Sequence, residues 1–151
     1  MAADPRVVRY IGDGQCWSPQ RIDEVSRIVT EHWRVNEFGW RVVVHREADE
    51  PVGFCMLNYL GEGTAGLDPR EFEIGWWLVP AVWRQGLASE AAEAVCREAF
   101  ERVGAPSVVA RLQPDNHASA GVAARLGMSR EFETTGRFGE VVSVYRLSRA
   151  D

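Results

Sequence analysis

Two carboxylates lie two positions apart near the middle of this chain, at Glu71 and Glu73. Residues 72–79 are mostly aromatic or branched apolar, as in a strand, and Pro80 ends the run because it has no N–H for a ladder. Side chains alternate across a strand, so both carboxylates are predicted on one face. A carboxylate can take the proton that an ammonium group must lose before it attacks. Glu73 is therefore the candidate base of an amine site; the alternative is that both carboxylates are only solvated.

A turn that could bind an anion follows this strand. Residues 83–86 connect it to a helix whose apolar spacing starts at Leu87. The first amides of a helix lack internal partners, and the helix dipole places partial positive charge there. Gly86 lets a ligand approach the backbone, and Arg84 adds a full charge. The stretch predicts either an anion site or an ordinary strand-to-helix connection.

The remaining elements can be read along the chain from their caps and periodicity. A helix is predicted to start at Ser18 and Pro19 and to end before Gly39, because serine is a good N-cap and proline suits the first helical position. Asn116 is predicted to cap a second, short helix that Gly127 ends. The other predicted strands are residues 40–45, 52–60, 108–112, 128–133 and 141–147.

This order of elements predicts an α/β fold with a mixed, mostly antiparallel central sheet and flanking helices. The strands 72–79 and 108–112 flank a crossover helix, so we expect them to be parallel neighbours. Ligands of such sheets bind at the carboxyl ends of the strands, which is where Gly86 lies. No interdomain linker is visible, and we expect one domain over residues 1–151.

Composition restricts the class of partner. The 151 residues are 46% hydrophobic, enough to bury a core, and carry a net charge of -5 without a basic run. These features argue against binding to nucleic acid or anionic lipid and favour a neutral or cationic partner. No apolar stretch approaches the roughly 18 residues of a membrane span, and no signal-peptide core is present. We expect a cytoplasmic protein without membrane association.

The cysteines and histidines do not suggest a disulfide framework or a metal site. Cys16, Cys55 and Cys96 are odd in number and form no C-x-x-C pair. They are expected to be free, buried thiols in a reducing compartment. His32 and His45 have no partner at metal-ligand spacing, so no metal is predicted.

Four motifs in order resemble the GNAT superfamily of N-acetyltransferases. They are EIGWWL at 73–78, WRQGLASEA at 83–91, PDNHAS at 114–119 and RLGM at 125–128. Within the superfamily the chain resembles the ribosomal-protein N-terminal acetyltransferases, and the resemblance spans essentially its whole length. It implies a GNAT-like acyltransferase fold and transfer of an acetyl group from acetyl-CoA to a primary amine. That amine is either a protein N-terminus or a small molecule.

The resemblance also implies where acetyl-CoA binds. By motif position, backbone amides at the start of the helix would hold its pyrophosphate. These are the amides of Gln85, Gly86, Leu87, Ala88 and Ser89. Arg84 stands where the family usually has glycine, so its side chain either contacts a phosphate or points into solvent.

The backbone at Leu78 and Val79 would pair with the pantetheine arm, with a family-typical β-bulge opening a V in the sheet. An N–H near Leu78 would polarise the thioester carbonyl as an oxyanion donor. Asn116 would hydrogen-bond the arm from the other wall, or serve only as an N-cap. Many family members carry a tyrosine as general acid where this chain has Ala123, and Ser119 is the candidate to replace it. The alternative is that the thiolate leaves unprotonated.

Family members usually begin with one more strand and half a helix, so the N-terminal strand is expected to be missing here. Without that strand, the stretch 40–45, from Trp40 to His45, would be an unprotected edge. We therefore expect a homodimer or a swapped strand; a truncated start is the competing explanation. Two alternatives to an enzyme stay open: a non-catalytic acyl-CoA-binding or regulatory module, and a structural subunit that binds protein through its edge.

Overall fold

A six-stranded sheet organises the part of the chain that the computed structural model describes, residues 1–149. The strand order is β1-β2-β3-β4-β6-β5. The strands are β1 (Arg41–His45), β2 (Glu50–Tyr59), β3 (Phe72–Leu78), β4 (Ser107–Leu112), β5 (Ser129–Thr135) and β6 (Val141–Ser148). Only the β3–β4 pair is parallel within residues 1–149, so the predicted mixed, mostly antiparallel α/β fold is confirmed.

Four α-helices flank the sheet over the described residues. They are α1 (Pro5–Val8), α2 (Pro19–Asn36), α3 (Leu87–Glu98) and α4 (His117–Arg125). The side chain of Ser18 caps α2 and that of Asn116 caps α4, as predicted. A π-helical turn, Ala99–Val103, extends α3 to Gly104. The segment before α2 shows no clear pattern in the sequence, and in the structure it forms the single turn α1.

The sheet splits between β3 and β4. These strands pair only at Phe72 with Val108 and at Glu73 with Val109, and their carboxyl ends then diverge into a V. The register of β3 with β2 is continuous from Tyr59–Phe72 to Gly53–Leu78. The expectation of a β-bulge in β3 is therefore wrong: the V opens because β4 turns away, while β3 stays paired with β2 throughout.

The larger core lies on the sheet face that α3 covers. Cys55, Ile74 and Val95 are among its members, each less than 5% exposed. A smaller cluster of Leu60, Val109 and Val144 lies apart from it. Side-chain alternation along β3 sends Ile74 into the larger core and Glu73 to the opposite face. The candidate base is thus carried by one of the best-packed strands of the molecule.

The cysteines are only partly as expected. Cys55 and Cys96 are free and buried, and burial raises the pKa of their thiols to about 12 and about 11, so they stay protonated at neutral pH. Cys16 is free but exposed, which corrects the expectation of a third buried thiol. It lies in the irregular segment before α2, where no apolar layer covers it.

Candidate active site

A cavity of about 1310 Å³ occupies the V between β3 and β4. Its walls come from α1, β3, the turn before α3, the first turn of α3, the end of β4 and α4. Most of the predicted site residues line it. They are Glu73, Leu78, Arg84, Gly86, Leu87, Ala88, Ser89, Asn116 and Ser119. Val79 and Gln85 lie outside this lining.

The start of α3 has the features that the predicted anion site requires, namely open space and free hydrogen-bond donors. Gly86 has φ +84, and a Cβ placed on it would meet nothing within 4 Å, so open space lies over the backbone there. The amides of Leu87 and Ala88 donate to no backbone carbonyl within residues 1–149. The Ser89 amide donates to the Gly86 carbonyl at 3.0 Å, whereas its buried hydroxyl has no partner. Ser89 therefore offers its hydroxyl to a ligand more readily than its amide.

Arg84 adopts φ +63, in the left-handed region. This explains why glycine suits the position, because a side chain there costs roughly 1–2 kcal/mol. The Arg84 side chain is exposed and lines the cavity next to the free amides. Gln85 instead turns its side-chain amide to the Ala81 carbonyl, 3.2 Å away.

The backbone of Val79 is used within the protein. Its N–H donates to the Val52 carbonyl at 2.8 Å, and its carbonyl accepts from the N–H of Val82 at 3.2 Å. Neither group remains for an extended ligand in the V. The expected pairing of Val79 with a pantetheine arm therefore has no free backbone group to use.

Leu78 lies one residue earlier, and its backbone groups point the other way, because successive residues of an antiparallel strand address opposite neighbours. Its carbonyl accepts from the indole N–H of Trp83 at 2.7 Å. The N–H of Leu78 is directed into the V, where β4 no longer pairs. The arrangement leaves one inward N–H at the end of β3, which is the geometry expected of an oxyanion donor.

The opposite wall is formed by α4. Oδ1 of Asn116 accepts from the Ser119 N–H at 3.2 Å, so the N-cap role is present, and the side-chain N–H₂ is left to donate to a ligand. Ser119 is half-buried and lines the cavity. Ala123 is fully buried in the larger core. No hydroxyl projects from that position, so Ser119 is the hydroxyl of α4 that the cavity offers.

Glu73 belongs to a buried polar chain at the base of the V. Its Oε1 accepts from Nε of Arg111 at 2.7 Å, and the side chains of Glu73 and Arg111 are only 8% and 13% exposed. Arg111 Nη1 donates to Thr64 Oγ1 at 2.6 Å. The alternative that Glu73 is only solvated is therefore wrong. Its Oε2 hydrogen-bonds to nothing in residues 1–149 and is not fully enclosed, since the buried unpartnered atoms are those of His32 and Ser89.

Glu71 is not part of this cavity. Its carboxylate accepts from Arg146 Nη1 at 2.5 Å and from the Asp68 N–H at 3.1 Å. It lies one residue before β3 and fixes the preceding loop to β6. The two carboxylates that the sequence pairs are thus separated by the structure, with one at the site and one in a structural ion pair.

The sequence reasoning missed Arg111 and the cavity-lining residues of the N-terminal segment, among them Arg9 and Tyr10. Arg111 had a signal: it is a charged residue inside the short apolar strand predicted to run parallel to that of Glu73. The N-terminal segment had none, because its contact with the Asp115 carbonyl, from the Tyr10 hydroxyl at 3.5 Å, spans most of the chain.

Residues 1–149 contain neither a cluster of metal-ligating side chains nor a helix suited to crossing a membrane. No three His, Cys, Asp or Glu side chains come together as a metal site would require. No helix there combines the length and apolarity needed to cross a bilayer.

Comparison with known proteins gives consistent matches. The family model described as an acetyltransferase (GNAT) domain matches residues 1–129. The uncharacterized N-acetyltransferase YnaD of Bacillus subtilis (strain 168) is 29% identical over 130 residues, covering 85% of this chain and 69% of that protein. The crystal structure of an acetyltransferase from Agrobacterium tumefaciens superposes with a TM-score of 0.80 at 28% identity, covering 98% of this chain and 81% of the other.

A more distant structural match is the ribosomal-protein-S5-alanine acetyltransferase from Vibrio fischeri. Its TM-score is 0.75 at 16% identity, over 97% of this chain and 81% of that one. At this identity the likeness shows the shared fold.

Proposed function

The chain belongs to the GNAT family of acetyltransferases, which use acetyl-CoA, and we propose that its acceptor is a primary amine bound beside Glu73. The observation that carries the proposal is that Glu73 lines the same cavity as the first turn of α3 and that its Oε2 has no hydrogen-bond partner within residues 1–149. The unpartnered Ser89 hydroxyl and the open space over Gly86 fit the pyrophosphate of acetyl-CoA.

In the proposed reaction, Oε2 of Glu73 takes a proton from the ammonium group through water. The freed amine attacks the thioester carbon, so that an N–C bond forms and the C–S bond breaks. The N–H of Leu78 stabilises the negative charge on the carbonyl oxygen. The leaving thiolate departs as the anion or takes, through the Ser119 hydroxyl, the second proton that the nitrogen loses as the amide forms, so that Ser119 gives one proton and receives another. Asn116 donates its amide N–H to the pantetheine arm, and Arg84 supplies a charge for a phosphate.

Thiol release from acetyl-CoA tests the proposal with a panel of primary amines and N-terminal peptides. Glu73→Gln should lower the rate at least tenfold and remove the acidic limb of its pH profile. Glu71→Gln is the matched control, because that carboxylate is held by Arg146 outside the cavity. If Glu73→Gln leaves the pH profile unchanged, Glu73 is not the base.

A second candidate function is a non-catalytic acyl-CoA-binding or regulatory module. It is favoured by Ala123, which removes the family's tyrosine. A ligand at a concentration a hundredfold above its Kd adds about 2.7 kcal/mol of apparent stability. Acetyl-CoA should therefore raise Tm whether the protein is an acetyltransferase or a non-catalytic module. The module predicts this rise without thiol release from any amine.

We also propose a homodimer formed through β1. Among residues 1–149 the strand pairs only with β2, and Val42 and Val44 are 54% and 49% exposed along it. An uncapped edge with apolar side chains favours pairing with another strand. Val42 lies opposite Phe54 in a pair that is not hydrogen-bonded, so its N–H points to the outer edge of β1. Light scattering should give the mass of a dimer for wild type and of a monomer for Val42→Pro, because proline removes that outward donor. A monodisperse wild-type monomer contradicts the dimer. A cytoplasmic location stays a prediction.

A further inference from the structure

The charge of the cavity is opposite to that of the protein. The chain carries a net charge of -5, yet the cavity has a single carboxylate, that of Glu73. Its arginines are Arg6, Arg9, Arg84, Arg111 and Arg125. Arg6 pairs with Asp4, Arg9 with Asp115 and Arg111 with Glu73, so the excess positive charge comes from Arg84 and Arg125. Overall composition favours a neutral or cationic partner, whereas the cavity favours ligands with negative charge.

The phosphates of acetyl-CoA do not account for Arg111. The phosphate cradle lies beyond the end of β3, whereas Arg111 contacts Glu73, five residues before Leu78. At about 3.3 Å per residue, Glu73 is roughly 16 Å along the strand from Leu78. Arg111 therefore lies at the acceptor end of the cavity, next to the proposed base.

The contacts of Arg111 leave one edge of its guanidinium unused. Nε donates to Glu73 and Nη1 to Thr64, but Nη2 donates to no atom of residues 1–149. Nη2 is not a fully enclosed atom, and the side chains of Glu73 and Arg111 both line the cavity. The base of the V thus presents an acceptor, Glu73 Oε2, beside a donor, Arg111 Nη2. Thr64 is 7% exposed and fixes the guanidinium in this orientation.

An amine with a carboxylate one carbon away satisfies both atoms at once. Its ammonium group reaches Oε2 of Glu73 through water, and its carboxylate accepts from Nη2 of Arg111, a charge-assisted hydrogen bond. A simple amine leaves Nη2 without a partner from the substrate, and the first carbonyl oxygen of a peptide offers it only a neutral acceptor. We propose that Arg111 is a specificity-determining residue that selects α-amino acids as acceptors. This inference rests on the proposed amine acetylation.

The test compares common α-amino acids with their own carboxamides in the thiol-release assay. Wild type should prefer the acid over the carboxamide by tenfold or more in kcat/KM, because the carboxylate forms a charge-assisted hydrogen bond with Nη2 whereas the carboxamide oxygen is a neutral acceptor. Arg111→Gln should reduce kcat/KM for the acid to the level of the carboxamide, and Arg111→Lys should keep part of the preference. Equal use of acid and carboxamide by wild type, or better use of N-terminal peptides, overturns the inference.

A second variant covers the case in which Arg111→Gln does not fold. Thr64→Val keeps the Glu73–Arg111 contact and removes only the anchor of Nη1. It should raise KM for the acid several-fold while KM for the carboxamide stays within twofold; equal changes contradict the role of Arg111. If wild type binds acetyl-CoA but none of the amines in the panel causes thiol release, both the proposed function and this inference are wrong. Release without acid preference overturns the inference alone.

Discussion

Two helices of this protein differ in how much of their apolar surface is buried. The shorter, α3, has 12 residues and buries Ala92, Val95 and Cys96 in the larger core. The longer, α2, has 18 residues and buries none, with Ile28 and Val35 58% and 60% exposed. Both have an apolar stripe, but only that of α3 is covered by the described residues. The helix that carries the proposed phosphate site is therefore fixed by packing, whereas α2 is fixed mainly by contacts at its carboxyl end.

Those contacts lie at the carboxyl end of α2 and in the residues that follow it. Nδ1 of His32 donates to the Phe38 carbonyl at 2.9 Å, and the Trp33 indole donates to the Trp40 carbonyl at 3.0 Å. Glu98 joins the two regions: it accepts from Arg41 of β1 and from Arg102, which also donates to the Glu37 carbonyl. The N-terminal region is thus held at a few positions, by these hydrogen bonds and ion pairs and by the aromatic contacts of Phe38 and Trp17.

The largest expected effect comes from a matched pair of substitutions, one in each region. Ile74→Ala should lower the free energy of unfolding by about 2–5 kcal/mol, because it opens a cavity in the larger core. Ile28→Ala should change it by less than about 0.5 kcal/mol. Denaturant unfolding measures both. A loss above about 2 kcal/mol for Ile28→Ala would show that the stripe of α2 is covered in solution, as in a dimer.

A smaller effect is expected at Glu98. Burial raises the pKa of its carboxyl, but hydrogen bonds from Arg41 and Arg102 outweigh this, and the net pKa lies below the ordinary value of 4.5. A lowered carboxyl pKa contributes stability that is complete above the ordinary pKa and is lost as the pH falls through the lowered one. Glu98→Gln should cost about 1.5 kcal/mol at pH 7.

The measurement is the difference in unfolding free energy between wild type and Glu98→Gln, followed from pH 7 downward. It should stay constant to about pH 5 and shrink below 4.5. A difference that grows on acidification would mean that Glu98 is not held as a carboxylate. Glu93→Gln serves as control, because that residue is exposed on the same helix.

The smallest effect is expected at Trp33. Trp33→Phe keeps the ring under the Arg41 guanidinium, 4.0 Å from its centroid, and removes only the hydrogen bond to Trp40. The loss should be about 1 kcal/mol. Hydrogen exchange of the α2 amides should quicken more than that of α3, since α2 depends on this end for its attachment. Equal change in both helices would argue against separate anchoring.

The sequence predicted the features that depend on local signals and missed those that depend on how distant parts of the chain pack together. Caps, alternation and crossover rules located α2, β3, α3 and α4 to within a few residues, because those signals are local. The lack of cover on α2 was not predictable, since an apolar stripe does not say what packs against it. The Glu73–Arg111 contact was also missed, because it depends on where β3 and β4 stop pairing. The predicted pairing of Val79 with the pantetheine arm was wrong for a similar reason, because the register with β2 sets the direction of its backbone groups.

The central claim is that the phosphates of acetyl-CoA bind at the start of α3, and two glycines test it directly. Gly86 and Gly104 lie at opposite ends of the same helical run, with φ +84 and +77, and a Cβ on either would meet nothing within 4 Å. Alanine at either position should cost about 1 kcal/mol of stability through left-handed strain. Calorimetric titration with acetyl-CoA should show a Kd at least tenfold weaker for Gly86→Ala and an unchanged Kd for Gly104→Ala. Equal affinity of the two variants would contradict the claim.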